Sequence, residues 1–130
     1  STLDHLERAY EDAARGWPST EPVLEMTIPT SVDSTVAPEG KHLVSLFVQY
    51  APYQLANGNW DDIKEDFADR CIELLGRYAP NLPAAVEHRQ VLSPLDLERT
   101  YRLRKSLLGT PYHPSFRDGH LHIRVLDEGF

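Results

Sequence analysis

A nearly continuous apolar run at residues 43–48, interrupted only by Ser45 and bounded by turn signals, most strongly constrains the fold. It lies within residues 41–50, which predict a long strand, and residues 23–28 predict a shorter strand before it. The connection between them is polar and contains the turn sequence Ala37-Pro-Glu-Gly40. Because this connection is too short for a helical crossover, we expect the two strands to pair antiparallel. The run at 43–48 is also typical of a strand with both faces covered.

Helical spacing of apolar residues predicts helices at 3–15 and 61–78, the first introduced by a capping box from Ser1 to Asp4. The apolar stripe of the second helix comprises Ile63, Phe67, Cys71, Leu74, Leu75 and Tyr78. Residues 86–92 predict a third strand in the same sheet, and a right-handed crossover would place it parallel to the strand at 41–50. Ser93 and Pro94 then begin a last helix, expected to end near residue 103.

The order of these elements, α-β-β-α-β-α, predicts an α+β fold. We expect a small mixed or antiparallel sheet with helices on one face, because such a layer buries the apolar stripes. A chain of 130 residues is long enough for one ordinary domain and too short for two sizeable ones. Residues 102–130 are read as a tail that follows this domain.

The composition disfavours two classes of partner. A net charge of −7 disfavours binding to nucleic-acid phosphates and to anionic membranes. No apolar run is long enough for a transmembrane helix, so we expect no membrane span. Cys71 is the one cysteine, which excludes an intrachain disulfide and is compatible with a reducing compartment. With no secretory signal visible, we expect a cytoplasmic protein.

The residues offer candidates for a substrate cavity but no catalytic residue. Gln49, Tyr50 and Tyr53 lie where the long strand leaves the sheet, and strand ends with loops are common ligand positions. The alternative is that the two tyrosines pack the loop. Asp33, His42 and Ser45 are suitable types for a nucleophilic triad, but no Gly-x-Ser-x-Gly turn surrounds the serine. Cys71 lies on an apolar stripe without an adjacent base, which is typical of a core cysteine.

Two patterns of charged or ligating residues allow a metal site as an alternative. His120 and His122 alternate as on one face of a strand, with Asp118 and His113 nearby, and imidazole with carboxylate suits zinc or iron. A structural role is the favoured interpretation, because three ligands at fixed geometry are not assured. The acids at 65, 66, 69 and 73 alternate with Lys64 and Arg70, which favours a solvated helix face.

Several sequence blocks occur together in register. They are Glu25-Met-Thr-Ile-Pro-Thr-Ser31, Asp33, Ala37-Pro-Glu-Gly-Lys-His42, Ser45-Leu-Phe-Val-Gln-Tyr50 with Pro52-Tyr53, Trp60-Asp61, Phe67-Ala-Asp-Arg70, Tyr78-Ala-Pro80 and Ser93-Pro-Leu-Asp-Leu-Glu-Arg99. Together they resemble a segment in the C-terminal half of phytoene-desaturase-like FAD-dependent oxidoreductases, a group that includes the pyridine nucleotide-disulphide oxidoreductase domain-containing proteins. The resemblance covers residues 3–101.

The resemblance implies a partial substrate domain of a monoamine-oxidase-type flavoprotein. In that family FAD is held by an N-terminal Gly-x-Gly-x-x-Gly turn and a C-terminal glycine-rich segment, and neither occurs among these 130 residues. From Arg102 onward the resemblance ends. We therefore divide the chain into a substrate-domain fragment, 1–101, and a divergent tail, 102–130, and offer a shifted reading frame or truncation as the hypothesis for the tail.

Two functional interpretations remain open. In the first, the chain is a fragment of an FAD-dependent oxidoreductase that is inactive and unable to bind FAD alone, so that FAD and a small-molecule substrate belong only to the intact enzyme. In the second, it is a free-standing, non-catalytic α+β module that binds a partner or self-associates. We expect a homo-oligomer, because a substrate region separated from its flavin domain exposes apolar surface and open sheet edges that need cover.

Overall fold

The computed structural model describes residues 2–101 and 121–127, with the main chain alone given for Tyr101 and for 121–127. In chain order the elements are α1 (Thr2–Ala14), β1 (Val23–Thr27), two 3₁₀ turns (Pro29–Ser31 and Ser34–Val36), β2 (His42–Gln49), α2 (Trp60–Gly76), α3 (Leu82–Ala85), β3 (Val86–Leu92), α4 (Pro94–Tyr101) and β4 (Leu121–Asp127). The chain is thus a mixture of helices and an antiparallel sheet, as the sequence predicts.

The sheet has four strands in the order β1-β2-β4-β3, and every neighbouring pair is antiparallel. The predicted pairing of the first two strands is confirmed, with Leu24 opposite Val48 and Met26 opposite Leu46. β3 belongs to the same sheet and runs parallel to β2, as predicted. The two are not neighbours, however, because β4 lies between them and pairs with both.

The sequence analysis missed strand β4 and the short helix α3. The predicted order α-β-β-α-β-α was therefore incomplete, since residues 121–127 were assigned to a tail outside the sheet. Seven positions of β4 pair with β2, from Leu121 opposite Val48 to Asp127 opposite His42. The reason for the error is physical: strand pairing between residues 30 or more positions apart leaves no local signal beyond alternation.

The core lies between one face of β2 and helix α2. Val44, Leu46 and Val48 alternate along β2 and are fully or almost fully buried, whereas the residues between them are half-buried. They pack in a cluster with Ala51, Trp60, Phe67, Ala68, Cys71 and Val91. Among the described residues, β2 therefore buries one face completely and the other in part, where the apolar run had predicted cover on both.

Helix α2 begins one residue earlier than predicted and ends two residues sooner. Asn59 caps its first turn, because the Asn59 side-chain oxygen accepts a hydrogen bond from the Asp62 amide at 3.2 Å. Trp60 is buried, and its indole N–H donates to the Pro52 carbonyl at 2.8 Å. At the other end Tyr78 was wrongly assigned to the apolar stripe. It is 89% exposed, since the chain leaves the helix after Gly76 and helical spacing no longer applies.

Helix α4 confirms the predicted start at Ser93. The Ser93 hydroxyl accepts a hydrogen bond from the Asp96 amide at 3.2 Å, and the Asp96 carboxylate accepts one from the Ser93 amide at 3.0 Å. This is a reciprocal capping box. The corresponding prediction at the start of α1 falls on Ser1, and the predicted end of α4 falls on 103; both lie outside the described residues.

Ion pairs join α2 to β3 and α4. Arg89 of β3 reaches both Glu65, at 2.8 Å, and Asp69 of α2. Lys64 pairs with Asp96 at 2.8 Å, and Arg99 pairs with Asp61 at 3.0 Å. The acidic face of α2, predicted to be solvated, thus binds in part to the neighbouring strand. The pairs of Arg89 and Arg99 each include a side chain that is more than half exposed, so they add little stability, whereas Lys64 and Asp96 are both largely buried.

Candidate functional site

Two of the predicted cavity residues, Gln49 and Tyr50, lie at the end of β2. Gln49 is the last residue of the strand and pairs with Val23 of β1, and a cis peptide bond joins it to Tyr50. Tyr50 is half-buried, and its ring meets the ring of Tyr10 from α1 edge-on, with centroids 5.7 Å apart and an interplanar angle of 82°. Such edge-to-face contacts are a favoured geometry for aromatic pairs. Helix α1 therefore fixes one side of this strand end.

Ser19 anchors the Tyr50 backbone and is completely buried. Its hydroxyl lies 2.6 Å from the Ala9 carbonyl, to which it donates, and accepts a hydrogen bond from the Tyr50 amide at 3.2 Å. The Ser19 amide in turn donates to the Tyr50 carbonyl at 3.3 Å. One side chain thus joins α1 to the end of β2. Sequence reasoning missed it, because its partners lie 10 residues before and 31 residues after it in the chain.

Tyr53, the third predicted residue, contacts a different helix. Its hydroxyl donates a short hydrogen bond to the Glu98 carboxylate of α4. This hydrogen bond, together with partial burial and the negative charge of Glu98, raises the pKa of Tyr53 above its ordinary value. The phenol is therefore a neutral donor held in a fixed orientation.

The loop that carries Tyr53 is held at two further points. Trp60 binds the Pro52 carbonyl, and the Ala56 amide donates to the Gly16 carbonyl at 2.9 Å. Gly16 has φ +83°, and a Cβ there would lie 2.8 Å from the Ala56 nitrogen, so only glycine fits. The structure consequently places Gln49 and Tyr50 at the end of β2 and Tyr53 in the loop that follows, with the two tyrosines in contact with different helices.

Asp33 and His42, two residues of the rejected triad, make separate local contacts, and Cys71 lies apart from both in the core. The Asp33 carboxylate caps the second 3₁₀ turn by accepting hydrogen bonds from the amide and hydroxyl of Thr35, which lower the pKa of Asp33. His42 Nδ1 lies 3.3 Å from the Thr30 hydroxyl. Cys71 is buried in the core, as predicted, and burial raises the pKa of its thiol to about 12. A neutral thiol is a poor nucleophile.

The metal-site prediction falls largely outside the described residues. His120 lies beyond them, and of His122 only the backbone is described, where it pairs with Phe47 and Leu92. Within residues 2–101, no group of three or more His, Cys, Asp or Glu side chains is arranged to hold a metal ion. Likewise, none of the helices described is long and apolar enough to cross a membrane.

A groove that the sequence did not suggest lies on the side of α2 facing residues 20–21. It has a volume of about 340 Å³. The described residues that line it are Thr20, Glu21, Arg70, Glu73, Leu74 and Arg77. The only signal in the sequence is the spacing of Arg70, Glu73 and Arg77, which places them along one face of a helix.

Comparison with known proteins shows that most of the chain is similar to proteins named as oxidoreductases or dehydrogenases. It is 47% identical over 100 residues to the rat protein called pyridine nucleotide-disulfide oxidoreductase domain-containing protein 2, and equally to its mouse counterpart. The family resemblance is confirmed. A phytoene dehydrogenase of Streptomyces griseus is 29% identical over 96 residues.

The matches cover most of this chain but little of the relatives. They span 75% of this chain and 17% of the rat and mouse proteins, and 72% of this chain and 18% of the bacterial enzyme. No family model matches the chain, and no solved structure is significantly similar to it. The chain therefore corresponds to less than a fifth of the length of its oxidoreductase relatives.

Proposed function

We propose that this chain is a partial substrate domain, with helices on one face of its sheet, of an FAD-dependent oxidoreductase of the phytoene-dehydrogenase-like group. The observation that carries this proposal is 47% identity over 100 residues to proteins named as pyridine nucleotide-disulfide oxidoreductase domain-containing. In the intact protein, bound FAD would accept a hydride from an organic substrate, while the protein binds and orients that substrate. The chain alone would be catalytically inactive.

The described residues do not fit FAD. A pyrophosphate is usually bound at a glycine-rich turn between a strand and a helix, where the helix N-terminus offers free N–H groups and a positive dipole. The strand-to-helix connection from β2 to α2 ends instead with Asn59 as cap and with Asp61 and Asp62 in the first turn. Helix α4 has Asp96 in the same position. These carboxylates would repel an anionic cofactor, and the Asn59 and Ser93 side chains already bind N–H groups that it would need.

The role proposed for Gln49, Tyr50 and Tyr53 is to line the substrate side of the intact enzyme. Support comes from their position at one strand end and from the fixed orientation of both tyrosines. If upstream coding sequence supplies a flavin domain, the joined protein with Tyr53→Phe should keep its flavin and turn over substrate more slowly. Unchanged turnover would remove Tyr53 from the site.

Binding of FAD to the purified chain tests the fragment interpretation directly. We expect no saturable change in flavin fluorescence at micromolar concentration, which corresponds to an affinity weaker than about −8 kcal/mol. The positive control is a relative that carries the glycine-rich turn. A stoichiometric, yellow complex of the chain with FAD would refute the proposal.

Self-association and location complete the proposal. We propose a homo-oligomer, because β1 forms one edge of the described sheet and half-buried apolar residues remain on the second face of β2. Light scattering that gives a monomer over a wide concentration range would contradict this. We also propose a cytoplasmic location, with which the free, buried Cys71 is compatible, and cell fractionation tests it.

A further inference from the structure

The groove beside α2 has walls that are fixed before any ligand arrives. On one side the Thr20 amide donates to the Asp12 carboxylate at 2.9 Å, and His5 Nε2 lies 2.7 Å from the Glu21 carbonyl. Both contacts tie residues 20–21 to α1. The opposite wall is the second half of α2, a regular helix of 17 residues. The groove has a volume of about 340 Å³, at the lower end of the range for small-ligand sites.

One ion pair spans the groove between its two walls. The Arg77 guanidinium lies 3.8 Å from the Glu21 carboxylate, and both side chains are more than half exposed. The charge of Arg77 is therefore balanced by a residue of the opposite wall. The other residues that α2 contributes to the lining are Arg70, Glu73 and Leu74.

Arg70 and Glu73 have no charged partner among the described residues. The Arg70 guanidinium lies 5.9 Å from the centroid of the Phe67 ring, a cation–π contact that orients the group and leaves its N–H donors available. Glu73 makes no hydrogen bond or ion pair within the described part of the chain. The two side chains are three positions apart on a helix, which places their Cβ atoms about 5–6 Å from each other. A cation, an anion and the apolar Leu74 thus share one small surface.

We propose that this groove binds a free apolar α-amino acid. The ligand carboxylate would pair with the Arg70 guanidinium, since planar guanidinium and carboxylate groups match in a bidentate arrangement. The ammonium group would donate to Glu73, and the aliphatic side chain would cover Leu74. This site is separate from the strand end proposed for the oxidoreductase substrate, so its test does not depend on that proposal.

Titration of the isotope-labelled chain with L-leucine tests the site, with amide NMR shifts as the readout. We expect saturable shifts at residues 20–21 and 70–77, with a dissociation constant on the order of 1 mM. N-acetyl-leucine lacks the ammonium charge and leucine amide lacks the carboxylate. Each should bind about tenfold more weakly, equivalent to the loss of one charge-assisted contact. Equal binding of all three probes would overturn the proposal.

Substitutions separate the site from non-specific effects. Arg70→Gln and Glu73→Gln should each weaken leucine binding about tenfold. Arg8→Gln on the exposed face of α1 removes the same charge away from the groove and should change nothing. Equal weakening in the Arg8 variant, or no saturation with leucine up to roughly 20 mM, would refute the proposal. Because the ligand series uses the unmodified chain, the proposal stays falsifiable even if a variant fails to fold.

Discussion

Replacing Ser19 with alanine isolates the contact that joins α1 to the end of β2. The substitution removes a hydroxyl whose residue is 0% exposed, and it keeps the backbone hydrogen bond from Ser19 to Tyr50. The Tyr50 amide then loses its acceptor, and the Ala9 carbonyl loses the hydroxyl that binds it at 2.6 Å. Leaving a buried donor without a partner costs about 1–3 kcal/mol. We expect Ser19→Ala to lower the free energy of unfolding by about 2 kcal/mol.

A second serine provides a matched control. The Ser31 hydroxyl also donates to a backbone carbonyl, that of Ile28, at 2.7 Å, but this contact is exposed to water. Ser31→Ala should therefore change the free energy of unfolding by less than about 0.5 kcal/mol, because water replaces the lost hydroxyl. Both values come from urea unfolding followed by circular dichroism. Equal effects of the two substitutions would show that burial of the Ser19 hydroxyl does not determine its contribution.

Two further substitutions test the ionised Asp96 carboxylate at the start of α4 and the close contact between Gly16 and Ala56. Burial raises the pKa of Asp96, but hydrogen bonds from Lys64 and Ser93 outweigh it and lower the value in the folded state. Ionised Asp96 therefore stabilises the fold fully above its unfolded-state pKa, and this stabilisation is lost as pH falls through its folded-state pKa. Asp96→Asn should lower the free energy of urea unfolding at neutral pH, and this loss should shrink below about pH 4. A loss that stays constant with pH would contradict this. Gly16→Ala should destabilise more than Gly40→Ala. Both have positive φ, but only the first places a Cβ against Ala56; equal midpoints of thermal unfolding would refute the clash.

Local patterns were sufficient for the elements whose signals lie within one segment. Apolar spacing located α2 and β2 to within one or two residues, and the Ser93-Pro94 start of α4 follows from the chemistry of helix capping. Cys71 was assigned correctly to the core by the same spacing. These features depend on residues within about one helical turn of each other, which is the range that a sequence pattern reports.

The features that could not be predicted depend on distant partners. Ser19 has an ordinary polar sequence environment, and only contact with Ala9 and Tyr50 explains its burial. Glu65 and Asp69 occupy one face of α2, a pattern equally typical of a solvated helix, and their partner Arg89 lies 20 or more residues away. For the candidate site, sequence reasoning placed Gln49 and Tyr50 at a strand end, where the structure also has them, and their role in a substrate cavity stays a prediction. It could not tell that Tyr50 and Tyr53 would contact different helices.

β4 bears on the hypothesis that residues 102–130 are a divergent tail. His120 and His122 were considered as a metal pattern on one strand face, but the alternation of Leu121, Ile123 and Val125 with polar residues was not used to predict the strand itself. In the structure this strand is the only described ladder partner of β3 and one of two partners of β2. The tail therefore contributes to the sheet, whatever its origin.

Truncation measures how much the sheet depends on that strand. Removing residues 102–130 takes away seven paired positions from β2 and six from β3. At about 0.5–1.5 kcal/mol for each hydrogen bond, the loss approaches the total stability of a small domain, about 5–15 kcal/mol. We expect residues 1–101 to lose cooperative urea unfolding, while removal of 128–130 alone leaves it unchanged. An identical unfolding midpoint for residues 1–101 and the whole chain would show that β4 is dispensable. Residues 1–101 would then form a stable domain without the tail.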